Sequence, residues 1–155
     1  MPLTCRLART DELPALEKLV IDSFEPITWI KKMDSSFGPL NGHDWRDRWR
    51  LRLAHVFRTQ ILLVGEHDEM VVAFASGATD SATRVGFIDL LAVDLGHQGQ
   101  GYGREMLRAM LAHLHGLGML HANLECLADN ERGNRLYESE GFTEVARSIR
   151  WFIRL

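Results

Sequence analysis

Cysteine, proline and long apolar runs are all scarce in this chain of 155 residues. Its two cysteines, Cys5 and Cys126, are too few for a disulfide framework and lack the paired spacing of a zinc site. The sequence shows neither the apolar core of a signal peptide nor a run long enough to span a membrane. We therefore expect a cytoplasmic protein with free thiols, and no membrane partner.

An excess of positive charge is also missing. The chain has 18 lysines and arginines against 21 aspartates and glutamates, a net charge of −3. This balance disfavours a nucleic-acid partner, which would require a basic surface. The seven histidines contain no His-x-x-x-His pair that would place two ligands on one helix face. We therefore expect no metal.

The apolar pattern that remains predicts a single α/β domain over residues 1–155. We expect a mixed, mostly antiparallel sheet of about seven strands, flanked by about four helices. The strand-like segments include LTCRLAR, QILLVGE, MVVAFASG, VGFIDLLAV, LHANLECLA and the alternating tail SIRWFIRL. The helical segments follow Asp11, surround Trp49, follow the glycines near residue 101 and cover NERGNRLYESEGF. The segment EPITWIKKMDSSFGPLNGHD is predicted to be a loop.

The glycine-rich stretch HQGQGYGREML lies between an apolar strand and an amphipathic helix, an arrangement that suits an anion. A P-loop would end in Gly-Lys-Ser/Thr, but Gly103 is followed by Arg104. A dinucleotide fingerprint would be spaced G-x-G-x-x-G, whereas Gly99, Gly101 and Gly103 are spaced G-x-G-x-G. Neither nucleotide motif fits.

The loop instead resembles the acyl-CoA signature of the GNAT superfamily of N-acetyltransferases, Q/R-x-x-G-x-G/A. Gln98, Gly101 and Gly103 occupy its three defined positions. The resemblance implies the GNAT fold and acetyl-CoA as the acyl donor.

A second segment, NERGNRLYESEGF, is similar to a later GNAT motif, N-x-x-A-x-x-x-Y-x-x-x-G-F. Asn130, Tyr137, Gly141 and Phe142 match it in register, and Gly133 stands where alanine is usual. The two motifs follow each other in the family's order, separated by one helix and one strand. Together they make this chain resemble an N-acetyltransferase over residues 84–147.

The resemblance implies how acetyl-CoA would be held. Backbone N–H groups of the loop would bind the pyrophosphate, with Arg104 adding charge, while the preceding strand would pair with the pantetheine arm. The implied contacts are Leu91, Ala92, Val93, Gln98, Gly99, Gln100, Gly101, Tyr102, Gly103, Arg104, Asn130 and Tyr137. Asn130 is also expected to cap the helix that carries Tyr137.

The implied reaction is direct attack of a primary amine on the acetyl thioester, without an acyl-enzyme. Tyr137 occupies the family's position for a hydrogen bond to the departing thiolate. Asp89, expected on the same strand face as Leu91, is the predicted base. Some family members carry this acid two positions earlier, where this chain has Phe87, and Glu125 on the next strand is the other candidate.

The acceptor is predicted to be an amine of a small molecule or peptide. Four aromatic residues could form a wall that binds this acceptor: Trp29, Phe37, Trp45 and Trp49. The alternative is that they pack in the core, which is favoured for Trp45 and Trp49. The arginines Arg46, Arg48, Arg50 and Arg52 are interpreted as a solvated face, partly paired with Asp44 and Asp47.

Two further functions stay open at this point. One is a catalytically silent acyl-CoA sensor or regulatory module, and the other is a nucleotide-dependent enzyme of another fold. The strand edges and the closing RWFIRL segment would also permit a homodimer.

Overall fold

The computed structural model describes residues 2–155, and these divide into two units. The first extends to Leu124 and the second covers Glu125–Leu155. Across residues 2–155, no helix has both the length and the apolar character needed to cross a membrane.

A five-stranded mixed sheet organises the first unit. Its strands, in spatial as well as chain order, are β1 (Thr4–Leu7), β2 (Ile61–His67), β3 (Met70–Asp80), β4 (Val85–Val93) and β5 (His121–Leu124). The first four pair antiparallel, and β5 joins β4 in parallel. The predicted mixed, mostly antiparallel α/β class is therefore confirmed, but the expected count of seven strands is wrong.

Residues 2–155 contain five helices rather than the expected four. They are α1 (Leu13–Phe24), α2 (Trp29–Phe37), α3 (Trp45–Thr59), α4 (Tyr102–Gly116) and α5 (Glu131–Ser139), of which only α5 belongs to the second unit.

The additional helix, α2, occupies the segment that was predicted to be a loop. Thr28 caps it by accepting a hydrogen bond from the N–H of Ile30, and Gly38 ends it at φ 73°. Ile30 is buried, and Met33, one turn later, packs against the same core. Prolines and glycines lie just before and after this short helix, and they make the whole segment resemble a loop in sequence.

The tail predicted to be a strand is not one. Residues 143–155 are all described, and none of them lies in a helix or strand. Trp151 and Ile153 are 87% and 77% exposed. Alternation favours a strand only where a neighbouring strand supplies backbone hydrogen-bond partners and a buried face.

The two faces of the sheet are covered by different helices. On one face, α1 and α3 pack Leu16, Val20, Trp49 and Leu53 against the sheet to form the core. On the other, α4 lies so close that glycines are required beneath it. A Cβ at Gly86, for example, would come within 2.9 Å of Leu114. These contacts fix α4, and with it the loop that precedes it.

Candidate active site

The glycine loop has the backbone conformation that its composition predicts. Gly99 and Gly101 have φ values of 81° and 87°, a left-handed conformation that other residues rarely adopt. A Cβ at either position would meet no atom within 4 Å, so the space above the loop is open. Because α4 begins at Tyr102, the N–H groups of Tyr102 and Gly103 have no acceptor within the helix, whereas the N–H of Arg104 donates to the carbonyl oxygen of Gly101 at 3.1 Å. The loop therefore presents polar backbone and the positive end of a helix to an open space.

Side chains anchor this loop to the end of β4. Gln98 Nε2 donates to the carbonyl oxygen of Val93 at 3.1 Å. Asp94 Oδ2 accepts from the N–H of Gly96 at 3.0 Å and contacts His97 Nδ1 at 2.8 Å. Tyr102 is 3% exposed, and its ring lies 5.5 Å from that of His67. The roles of Asp94 and His67 were not predicted, because nothing in the local pattern distinguishes them from surface residues.

The strand before the loop has an open flank. The parallel pairing of β4 with β5 ends at Ile88 and Leu124, whereas β4 continues to Val93. On the other side, Leu91–Val93 pair with Ala73–Ala75 of β3. The flank of β4 beyond Ile88 is thus left for an extended ligand, which could add to the sheet as another strand would.

A β-bulge lies where this flank begins. Ser76 of β3 pairs with Leu90 of β4, but Gly77 pairs with Ile88, so Asp89 is the extra residue. Bulges of this kind redirect side chains.

The bulge corrects the prediction that Asp89 and Leu91 share a face. Asp89 contacts residues of α3 and of the turn that follows it, on the same face as the core residue Leu90. Leu91 pairs with Ala75, which shares the α4 face with Ala73 and Gly77. In a regular strand, residues i and i+2 lie on the same face. The extra residue of the bulge interrupts this alternation, so Asp89 and Leu91 lie on opposite faces.

Both carboxylate oxygens of Asp89 accept hydrogen bonds. Arg52 Nη2 donates to Oδ1 at 2.7 Å and Gln60 Nε2 donates to Oδ2 at 2.8 Å. The Asp89 side chain is 12% exposed and that of Arg52 is 35% exposed. Arg52 also stacks over the Trp49 ring at 5.0 Å. The interpretation of Arg52 as part of a solvated arginine face is therefore wrong, whereas Arg50 does pair with Asp47, at 2.8 Å.

Two buried polar atoms near this bulge have no hydrogen-bond partner within the described part of the chain. They are Gln60 Oε1 and Ser76 Oγ. A buried polar atom without a partner typically costs about 1–3 kcal/mol. The amide nitrogen of Gln60 thus donates a hydrogen bond to Asp89, while the amide oxygen has no hydrogen-bond partner among the described residues.

A groove of about 490 Å³ lies on the first unit near the start of β4. Its lining is Ala78, Thr79, Asp80, Thr83, Val85, Phe87 and Asn123. Phe87 pairs with Ala78 and Asn123, and it lies two positions before Asp89 on the same strand. The Asp80 carboxylate is engaged in the hairpin turn, where Thr83 Oγ1 donates to it at 2.7 Å, and these contacts lower the pKa of Asp80.

In the second unit, Asn130 caps α5 as predicted. Its Oδ1 accepts a hydrogen bond from the N–H of Gly133 at 3.1 Å. A Cβ at Gly133 would come within 2.8 Å of the Asn130 amide nitrogen and 3.1 Å of Cys126 Sγ. This crowding explains why glycine replaces the alanine that is usual in the motif.

Tyr137 lies on α5, and its ring packs against Phe142 with centroids 5.8 Å apart. Burial, followed by the nearby Cys126 thiol, raises the pKa of Tyr137 to about 12. The phenol is therefore a hydrogen-bond donor throughout the physiological pH range. The alternative base, Glu125, is 78% exposed and lies 3.9 Å from Arg150, after the last residue of β5.

The aromatic residues considered for an acceptor wall separate into two groups. Trp45 and Trp49 are 4% and 2% exposed and belong to the core, as the packing interpretation predicts. Phe37 is 50% exposed, and Trp29 is partly buried against the same core.

Among the predicted site residues, the structure places Asp89, Leu91–Val93 and the loop Gln98–Arg104 on one strand and the turn that follows it. Asn130 and Tyr137 belong to the second unit, where Asn130 caps α5 and Tyr137 lies within this helix. Arg52 and Gln60 are additions that only the tertiary structure identifies, whereas Asp94 acts through local contacts in the loop.

Solved structures with this fold include N-acetyltransferases. The structure of AAC(6')-Iy in complex with the bisubstrate analogue CoA-S-monomethyl-acetylneamine superposes with a TM-score of 0.70 and 14% identity, covering all of both chains. The PaiA N-acetyltransferase of Thermoplasma acidophilum, in complex with coenzyme A, superposes with a TM-score of 0.65 and 17% identity, covering 92% of this chain and 91% of that one. At these identities the likeness concerns the fold.

The sequence profile of the acetyltransferase (GNAT) family matches residues 22–142. The chain therefore belongs to the acetyltransferase (GNAT) family.

Curated relatives match a shorter stretch. A mycothiol acetyltransferase of Geodermatophilus obscurus is 39% identical over 67 residues, which are 43% of this chain and 22% of that protein. The mycothiol acetyltransferase of Nocardiopsis dassonvillei is 41% identical over 70 residues, 45% of this chain and 21% of that protein. The matched stretch spans about a fifth of the length of these relatives.

Proposed function

We propose that this protein transfers the acetyl group of acetyl-CoA to a primary amine of a small molecule or peptide, by direct attack within a ternary complex. The observation that carries the proposal is the left-handed glycine loop directly after a strand with an open flank. Membership of the acetyltransferase family supports it.

The residues present fit acetyl-CoA. The open space above Gly99 and Gly101 leaves backbone N–H groups accessible to the pyrophosphate, and Arg104 in the first turn of α4 adds positive charge. The open flank at Leu91–Val93 offers backbone groups to the pantetheine arm. When bound, acetyl-CoA supplies an acetyl group activated as a thioester. An N–H group near Leu91 would polarise its carbonyl oxygen.

The acceptor amine must lose a proton. At a pKa of about 10.4, an amine is neutral in about one molecule in 2,500 at pH 7, a penalty of about 4.6 kcal/mol. We assign the proton to Asp89, directly or through one water, because Asp89 is the first residue of the open flank of β4. The groove at Phe87, on the same strand, offers the amine an approach to it.

Tyr137 stabilises the thiolate that leaves. With a phenol pKa of about 12 against about 8.5 for a thiol, complete proton transfer is uphill by about 5 kcal/mol. The proposed contribution is therefore a hydrogen bond from the phenol to the developing thiolate, and solvent supplies the proton later.

The relatives support a small-molecule acceptor. The curated relatives are named for mycothiol, and AAC(6')-Iy was solved with an analogue that joins CoA to an acetylneamine. The ribosomal-protein-S18-alanine N-acetyltransferase of Escherichia coli, with a TM-score of 0.68 and 22% identity, covering 93% of this chain and 79% of that one, keeps a peptide amine as the alternative.

The test is to incubate the protein with acetyl-CoA and three probes: neamine, spermidine and a peptide with a free N-terminal alanine. We expect free CoA thiol and an acetylated product by mass spectrometry from at least one probe. Tyr137→Phe should lower kcat about 10- to 100-fold with little change in KM for acetyl-CoA.

Two controls separate the candidates. Asp89→Asn should lower kcat more than Glu125→Gln, because Glu125 is exposed. Tight CoA binding by calorimetry without product from any probe would favour an acyl-CoA sensor instead. An unchanged kcat in Tyr137→Phe would remove that residue from the mechanism.

A further inference from the structure

Asp89 is held by two side chains that the proposed reaction does not use. We propose that Arg52 and Gln60 are positioning residues, which hold the Asp89 carboxylate at the mouth of the open flank so that it can receive the proton of the acceptor amine. This inference rests on the proposed function and concerns the same site.

The position of Asp89 creates the need for such support. It is the extra residue of the β-bulge, so the regular ladder does not fix it there. It also directly follows Ile88, the last residue of β4 that pairs with β5. Asp89 is thus the first residue of the flank of β4 along which we expect the acyl donor to bind. Because it lies in a bulge, the backbone alone does not fix the orientation of its side chain.

The two donors reach the carboxylate from separate points. Arg52 lies within α3, and Gln60 is the residue that ends this helix. Each binds a different oxygen, at 2.7 and 2.8 Å, which fixes both the position and the plane of the carboxylate.

The core holds Arg52 in turn. The guanidinium of Arg52 stacks over Trp49, which is 2% exposed and whose Nε1 donates to Thr28 Oγ1 at 2.9 Å. A continuous series of contacts therefore leads from the core through α3 to Asp89.

The orientation of the Gln60 amide indicates that its role is to serve Asp89. The nitrogen faces the carboxylate, while the oxygen is buried without a partner among the described residues. Turning the amide over would place its oxygen against the negative charge of Asp89. The amide thus keeps the only orientation that donates to the carboxylate, although its own oxygen remains unsatisfied.

The arrangement leaves room for chemistry. Each carboxylate oxygen has two lone pairs, and Arg52 and Gln60 engage one on each. The ammonium form of the acceptor first releases one proton through Asp89 to solvent, which frees the nitrogen lone pair. As the neutral nitrogen attacks the carbonyl carbon, its second proton moves to a remaining lone pair of the carboxylate, the carbon–sulfur bond breaks and the thiolate leaves. The proton then passes to solvent, because 12% of the side chain is exposed.

The test compares Arg52→Met, Arg52→Lys, Gln60→Leu and Asp89→Asn with the double variant Arg52→Met/Asp89→Asn, using whichever of the three amine probes the wild type acetylates. Arg50→Met is the matched control, since Arg50 lies on the same helix and pairs with Asp47 and Glu17. We expect Arg52→Met and Gln60→Leu to lower kcat about tenfold or more, with KM for acetyl-CoA unchanged. Arg52→Lys should recover part of the loss, and Arg50→Met should behave as wild type.

The decisive readout is the double variant. If Arg52 acts through Asp89, removing it from the Asp89→Asn protein causes no further loss of kcat. An additive loss, or a fall in thermal midpoint with kcat retained, would overturn the positioning role. A wild type that acetylates none of the probes would instead overturn the proposed function, which distinguishes the two failures.

Discussion

The two units of this chain differ in how they hold their functional residues. The unit that ends at Leu124 contains the sheet, four helices and all of the fully buried side chains that the structure describes. The unit Glu125–Leu155 contains one nine-residue helix, and none of its residues, all of which are described, is fully buried.

This difference extends to the proposed chemistry. Asp89 is held by side chains 29 and 37 positions away along the chain, and one of them, Arg52, stacks over the core residue Trp49. Asn130 and Gly133 act on the helix of Tyr137 through contacts over a few residues. Long-range packing therefore positions one group of site residues, and a local sequence motif positions the other.

Two tryptophans test this contrast most strongly. Trp49→Ala removes a side chain that is 2% exposed and hydrogen-bonded to Thr28, and should lower the free energy of unfolding by about 3–5 kcal/mol. Trp151→Ala removes a side chain that is 87% exposed, and should change the free energy of unfolding by less than about 0.5 kcal/mol. Urea unfolding of both variants measures the difference. Equal losses would show that the tail is packed as firmly as the core.

The same contrast explains which parts of the fold could be predicted from sequence. The strands β2–β4 and the helix α4 have apolar periods that coincide with real burial, so pattern and structure agree. The tail SIRWFIRL has an equally regular period but no partner strand within the described chain. Helix α2 has four large apolar residues, but only Ile30 is buried, and the flanking prolines and glycines dominate the pattern.

The candidate site divides in the same way. The glycine loop and the cap at Asn130 could be predicted because their backbone requirements are local. The partners of Asp89 could not, since neither Arg52 nor Gln60 has a local signal and the bulge alters the face on which Asp89 lies. Sequence alone therefore gives the motifs, whereas the tertiary structure gives the residues that orient them.

The glycine loop offers a second test, with a smaller effect. Gly101→Ala introduces a side chain at φ 87°, where space is open but the backbone conformation is strained, and should destabilise the fold by about 1–2 kcal/mol. It should also weaken CoA binding, because relieving the strain moves the N–H groups of the loop. Calorimetry with CoA and thermal unfolding measure the two effects.

Gly116→Ala is the matched control, because Gly116 lies at the end of the same helix with open space and no left-handed backbone. It should leave CoA binding unchanged and keep or slightly raise stability. Equal effects of both variants on CoA binding would contradict the assignment of the glycine loop to the acyl-CoA site.

The smallest expected effect concerns one ion pair from each unit. Arg6 donates to Glu12 at 3.0 Å, and the backbone N–H of Arg9 donates to it at 2.7 Å. The hydrogen bonds from Arg6 are the main cause that lowers the pKa of Glu12 to about 2, from an ordinary value of 4.5. In the second unit, Glu131 pairs with Arg135 at 3.2 Å, with both side chains more than three-quarters exposed.

Glu12→Gln should therefore lower the free energy of unfolding at pH 7 by about 1 kcal/mol, a figure that allows for solvent screening. Because the pKa of Glu12 is lower in the folded state, its stabilisation is complete above pH 4.5 and is lost as the pH falls towards 2. The difference between wild type and Glu12→Gln should thus shrink over this interval, whereas Glu131→Gln should match wild type at every pH. Urea unfolding between pH 7 and pH 2.5 measures both, and a constant difference for Glu12→Gln would mean that its carboxylate is not held by Arg6 in the folded chain.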